Sequence, residues 1–412
     1  MKEFRLIDDV MPDVLPPDPG TVAEARARMR RVRRGRPHAW AGVLVAAAAT
    51  VAVIGAVTLT PKLGDVPGPP RAAGPIAGDS VAIPLDRASA VPGDVRTDTE
   101  HSPPQRLIAA GSLAVSAYSI QHWETVSGDL KELRRTWYLY NPGTGAYEET
   151  AWQWLDVAPG LRLAAVLEGD LPSKRLGILD MSTRKVLTWI ELGHPAAGLA
   201  WSPDGRRILA TSYGEHPDRV ELVAGDENQM KRFPSTRTGF SIVDVATRQT
   251  RFTALGPLTH LGGADGGPTN MNARQDLEWN LDGSLIWGPT DSHPDRVFYD
   301  LHGQPHATPP ETYVEYSKES AVSPDGTRVI TGRPLRVEER TSGKTVGRPR
   351  VLQLLAWADD DQLIGVGCAG ECAYEHRNGL VLVSADGKKS TQLSGFREND
   401  KVGRWEWLLT RR

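Results

Sequence analysis

Leu199-Ala200-Trp201-Ser202-Pro203-Asp204-Gly205, continued by Arg206-Arg207-Ile208-Leu209-Ala210-Thr211, is the stretch that decides the fold. Proline presets φ for the second position of a type I turn, aspartate suits the third, and glycine accepts the left-handed position that follows. The run predicts a three-residue hairpin loop between two short antiparallel strands. The pattern returns in Leu277-Glu278-Trp279-Asn280-Leu281-Asp282-Gly283 and in Leu355-Ala356-Trp357-Ala358-Asp359-Asp360-Asp361. The three tryptophans are 78 residues apart each time, which is twice a repeat of about 40 residues. Val157-Ala158-Pro159-Gly160 and Val322-Ser323-Pro324-Asp325-Gly326 supply intervening copies.

A second turn follows the first about 20 residues or more later. Gly177-Ile178-Leu179-Asp180-Met181-Ser182-Thr183-Arg184 matches Ser241-Ile242-Val243-Asp244-Val245-Ala246-Thr247-Arg248. Each repeat therefore holds four strands, a to d, with tight turns at a–b and c–d. The c–d turns fall at Asn141, Asp180, Asp244, Asp300, Thr341 and Ser384, spaced by 39, 64, 56, 41 and 43 residues. The two long intervals contain 214–239 and 256–275, rich in turn formers and read as loop insertions on the third and fourth repeats. Four-stranded units of this length predict an all-β fold, a six-bladed β-propeller over residues 104–412. Strand-like segments at 81–85 and 405–409 stand outside the six units; one or both would complete a blade, or, paired with each other in a unit of their own, they would make a seventh.

Residues 200–212 and 321–331 resemble the TolB-type propeller repeat, whose core reads Trp-Ser-Pro-Asp-Gly-basic-basic-aliphatic. The resemblance implies the fold and is nearly silent on activity, because propellers host many unrelated functions.

Ahead of the repeats the composition changes. The 412 residues are 40% apolar and 24% charged, which excludes wholesale disorder. Residues 1–36 hold nine Lys/Arg against six Asp/Glu, and the remainder 39 against 45. No large basic surface remains for nucleic acid. Between Arg36 and Lys62 lie 25 residues without a formal charge. As a helix, residues 39–60 would span roughly 33 Å, enough for a hydrocarbon core of about 30 Å. Arg30, Arg31, Arg33, Arg34 and Arg36 crowd one flank, so the positive-inside rule keeps the N-terminus cytoplasmic. The expected organisation is a cytoplasmic tail (1–38), a signal-anchor helix in the lipid bilayer (39–60), a Pro/Gly-rich stalk (61–103) and an extracytoplasmic propeller at the cell membrane. The tail runs Leu6-Ile7-Asp8-Asp9-Val10-Met11-Pro12-Asp13, then Pro17-Asp18-Pro19 and Ala23-Glu24-Ala25-Arg26-Ala27-Arg28. It resembles the cytosolic segment of certain actinobacterial membrane proteins that accompany extracytoplasmic-function sigma factors, which implies such a factor as a cytoplasmic partner.

Three readings compete at Cys368 and Cys372: a disulfide that shapes its loop in an oxidising compartment, a metal site completed by His376, or two free thiols. His216-Pro217-Asp218-Arg219 recurs as His293-Pro294-Asp295-Arg296 after strand b. The pair is a candidate binding rim (His216, Asp218, Arg219, His293, Asp295, Arg296) or an inherited turn. Asp359-Asp360-Asp361 is read as a solvated hairpin tip, and Trp201, Trp279 and Trp357 as packing between blades. No G-x-S-x-G elbow, HExxH, P-loop or dinucleotide fingerprint is present. The expectation is a non-enzymatic protein, without cofactor, that binds an extracytoplasmic protein or small ligand. A sigma-factor-linked regulator and an enzyme working in the central channel are the alternatives.

Overall fold

Short β-branched and aliphatic runs between turn signals fold as the repeat requires. The computed structural model describes residues 94–412 except 224–225, 259–273, 291–294, 315–316, 333–334, 371, 373–376 and 399–404. The tail with its arginines, the expected membrane helix and segment 81–85 lie outside the described residues. Among the described residues no helix is long and apolar enough to cross a membrane.

The strands group into antiparallel units, here numbered 1 to 6 along the chain. Unit 2 is built from Trp154–Val157, Leu163–Leu167, Ser173–Asp180 and the first half of Val186–Trp201. The second half of that strand opens unit 3, pairing with Arg207–Tyr213, which is followed by Arg237–Asp244 and Thr250–Ala254. One strand thus serves two units. Unit 4 holds Glu278–Trp279, Ile286–Pro289, Arg296–Tyr299 and Pro305–His306. In unit 5, strand a is reduced to a bridge between Val322 and Val329, beside Arg328–Thr331, Arg336–Glu339 and Thr345–Gly347. Unit 6 holds Gln353–Trp357, Gln362–Gly367, Arg377–Ser384 and Ser390–Gln392.

Unit 1 takes its strand a from the far end of the chain. Trp405–Arg411 pairs along Leu113–Ser127, from Trp405 opposite Ile120 to Arg411 opposite Leu113. Leu130–Asn141 and Ala146–Glu149 complete it. Segment 405–409 therefore completes the first unit.

The turns follow their spelling. Gly205 sits at φ +70°, the left-handed region reserved for it. In the c–d turns, Asp180 and Asp244 each accept the amide of the threonine three residues on, at 2.8 Å.

Apolar clusters join each unit to the next. Leu139 meets Leu155 and Val166 between units 1 and 2, and Leu176 meets Trp201 and Ile208 between 2 and 3. Ala200 and Phe240 meet Trp279 between 3 and 4; Phe298 and Tyr313 pack together between 4 and 5; Ile330 meets Trp357 between 5 and 6. Leu382 and Ile364 of unit 6 pack on Val115 and Trp405 of unit 1. Each large side chain so buried contributes roughly 1.5–3 kcal/mol relative to exposure. The repeat tryptophans key these contacts. Nε1 of Trp201, Trp279 and Trp357 donates to the carbonyl oxygens of Asp156, Ala200 and Ala321, at 3.1, 3.0 and 2.9 Å. Every acceptor belongs to the preceding unit, at the position just before that unit's own tryptophan site. The fold is a β-propeller.

Two boundaries differ from the sequence reading. Folded structure begins before Pro104: Val95–Arg96 pairs with Ala109–Ala110, and the buried Asp98 carboxylate accepts the amides of Gln105 and Arg106. Residues 94–103 are polar, hold one proline, Pro103, and carry no repeat signature, which is why the sequence reading joined them to the proline-rich stretch ahead. The 214–239 insertion is more than a loop. Its strands Arg219–Val223 and Asp226–Arg232 form a hairpin that pairs with unit 1, Arg219 opposite Glu132.

Candidate functional site

The innermost strands leave a cavity of about 670 Å³ lined by residues of every unit, among them Arg411, Asp156, Trp201, Glu278, Lys318 and Trp357 in unit order. It extends to the a–b hairpins, where Asp204 and Asp282 are exposed, so that face is its mouth. Arg412, next to the lining, donates to the carboxylate and carbonyl of Asp94, both at 2.8 Å.

The charges inside come from separate strands. Unit 5 has Val322 where units 3, 4 and 6 have tryptophan, so the Glu278 carbonyl meets no indole there, and Lys318 and Glu319 approach instead. Burial pushes the Glu278 carboxyl up; Lys318 pulls it back, and Asp156, Asp276 and Glu319 push it further, to about 7. Burial works against the Lys318 ammonium, yet Glu278, Asp156 and Glu319 hold its pKa above the ordinary value. Asp156 accepts the backbone amide of Trp201 at 2.7 Å, and Glu319 lies 3.3 Å from Arg411.

Two residues before Asp156 and Glu278, about 7 Å back along each strand, stand Trp154 and Asp276. They belong to a buried ion network. Asp276 pairs with Arg274 at 2.7 Å, Arg274 with Asp218 at 2.9 Å, and Asp218 with Arg135 at 2.7 Å. Both guanidiniums lie over the Trp154 ring, Arg274 at 3.8 Å and Arg135 at 4.9 Å. Burial alone would raise the Asp218 carboxyl, but Arg274 and Arg135 overcome it and hold it well below the usual range. Arg219 and Arg134 grip Glu132 at 2.8 and 2.9 Å.

The expected rim is thereby resolved into two unlike places. His216 is buried and Asp218 half-buried, and with Arg219 they tie the insertion to units 1 and 4. Arg296 pairs with Asp295 at 2.7 Å and lies over Trp287 and Tyr313, while His293 is outside the described residues. Cys368 and Cys372 are joined as a disulfide. Asp360 and Asp361 of the acidic tip receive the Asp325 amide and the Arg328 guanidinium, fastening unit 6 to unit 5.

The axial residues Asp156, Glu278, Lys318 and Glu319 were not singled out by the sequence reading. A signal existed: in the register of the repeat, the position before the tryptophan site reads Asp156, Ala200, Glu278, Ala321 and Ala356, two acids among alanines.

No family model matches the chain, and no curated protein sequence matches it. Solved structures do. TolB from Acinetobacter baumannii is 16% identical over 71% of this chain and 66% of its own, just under two thirds, with a TM-score of 0.31. An oligogalacturonate lyase in complex with manganese is 11% identical over 75% and 86%, TM-score 0.36. The acylaminoacyl peptidase of Pyrococcus horikoshii is 12% identical over 77% of this chain and 53% of its own, TM-score 0.37. At such values these likenesses say nothing about activity. The Ser-Pro-Asp-Gly turns and the sheet pattern themselves define a TolB-like β-propeller.

Proposed function

We propose that this is a single-pass membrane protein that presents a closed, six-bladed propeller outside the cell for binding rather than catalysis. Closure in six is supported by the apolar contacts that lead from each unit to the next and from unit 6 back to unit 1. The observation that carries binding is the axial cavity, whose volume is that of a small-molecule site. Its serines are engaged in the local backbone and turns: Ser323 donates to Asp325 and accepts the amide of Arg328, Ser112 donates to the Ala358 carbonyl, and Ser320 donates to the Val322 carbonyl. A hydroxyl so used is a turn element, not a nucleophile. The membrane assignment rests on the uncharged segment 39–60 and its arginine flank.

Protease added to intact cells should remove epitopes beyond Lys62 and spare one at Phe4; digestion at Phe4 would reverse the topology. The regulator reading, with a sigma factor on the tail, rests on residues 6–28. Deleting the tail separates the two: a display protein keeps its function, and a regulator loses it.

A further inference from the structure

Five carboxylates line the axial cavity, Asp156, Asp204, Glu278, Asp282 and Glu319, against two cations, Lys318 and Arg411. Arg411 serves Glu319, and Lys318 alone faces Glu278 and Asp156. A carboxylate excess in a walled space needs a counter-charge, and a proton is one answer to that need. A cation entering from solvent is the other. Among the described residues no three Asp, Glu, His or Cys side chains converge at metal-ligand spacing. The acids instead stand at two levels, Asp156 and Glu278 on the strands and Asp204 and Asp282 at the mouth. The walls between include Trp201, Trp279, Trp357 and Leu409, apolar residues suited to the carbon chain of an organic cation.

We propose that the axial cavity is a receptor site for a small organic amine, whose ammonium sits among the Asp156, Glu278 and Glu319 carboxylates beside Lys318. The inference rests on the reading of this cavity as the binding site. Lys318 is an internal competitor for the same carboxylates. Removing its charge strengthens binding, a gain that damage to the fold does not produce.

The test is calorimetric titration of the full-length protein in detergent with putrescine, with glutarate as an anion of similar length, with glucose, and with calcium chloride. Putrescine should bind at one site per chain and more weakly as pH falls through the neutral range. Glu278→Gln should weaken it about tenfold, about 1.4 kcal/mol, and Lys318→Met should tighten it by a similar factor. Loss of binding in Lys318→Met would overturn the assignment. Glutarate or glucose binding in place of putrescine would refute the amine and leave the binding cavity standing. Calcium binding abolished by Glu278→Gln, without putrescine binding, would make it a metal site and refute the amine. Heat from none of the probes, with the fold verified by circular dichroism, would overturn both the amine and the cavity's role.

Discussion

Glu278 stands one position before Trp279, where three other repeats carry Ala200, Ala321 and Ala356 and one carries Asp156, and burial pushes its carboxyl up to about 7. The unfolded chain would release that proton near the ordinary 4.5. Between these values the folded protein binds more protons than the unfolded chain, so this group's contribution is fully present below 4.5 and is lost as pH rises through 7. Urea midpoints at about pH 5 and about pH 8 should therefore differ less in Glu278→Gln than in the wild type, in the sense that the wild type loses more on the alkaline side. An equal change in both proteins would contradict the raised pKa. Trp279 tests the keying between units. Trp279→Phe keeps the ring in its cluster but leaves the buried Ala200 carbonyl without its donor, and chemical denaturation should show a loss of roughly 1–3 kcal/mol.

At the scale of elements, the insertion hairpin of unit 3 shows where sequence reasoning stopped. The repeat's turns were legible because each is written locally: Ser-Pro-Asp-Gly states a hairpin, and Asp-x-x-Thr-Arg states its partner turn. The hairpin at 219–232 has no such signature. Its partner is Glu132 in another unit, and a strand pairing across 87 residues leaves no local trace. The axial site was hidden for the same reason, being assembled one side chain per strand from separate repeats. Two predictions belong here. Asp218→Ala removes the carboxylate that Arg135 pairs with, leaves Arg274 with Asp276 alone, and should cost roughly 3 kcal/mol, whereas Arg96→Ala, an exposed partner of Asp94, should cost under about 1 kcal/mol by the same denaturation measurement. Cys368 and Cys372 should resist maleimide until reduced and then label fully. Reduction should lower stability by about 2 kcal/mol on the chain-entropy model, and labelling without reductant would show that the bond is absent in solution.

For the whole molecule, the decisive contact is the last one. Trp405–Arg411 fills the innermost place of unit 1, and the adjoining Gly111 approaches unit 6 so closely that a Cβ there would lie 2.1 Å from the Ala358 carbonyl oxygen. A chain ending at Gly403 lacks this strand, leaving an unpaired edge along 113–120 and an opened apolar cluster. It should be recovered as aggregate or unfolded material, shown by size-exclusion chromatography and circular dichroism. A well-folded monomer would mean that unit 1 holds without its borrowed strand. The full-length Gly111→Ala variant should also be strongly destabilised, since φ +54° and a backbone oxygen both oppose the methyl group.

The hydroxyls of Ser116 and Thr410 lie 2.7 Å apart across 294 residues of chain. Synthesis runs from the N-terminus at about 5–20 residues per second, so roughly 15–60 s separate the making of one partner from the other. For that interval the strand from Leu113 is a finished edge awaiting its mate, open to neighbouring nascent chains and to proteases alike. Products that end anywhere between Ser127 and Trp405 would therefore share a single defect, the uncovered edge of the strand from Leu113.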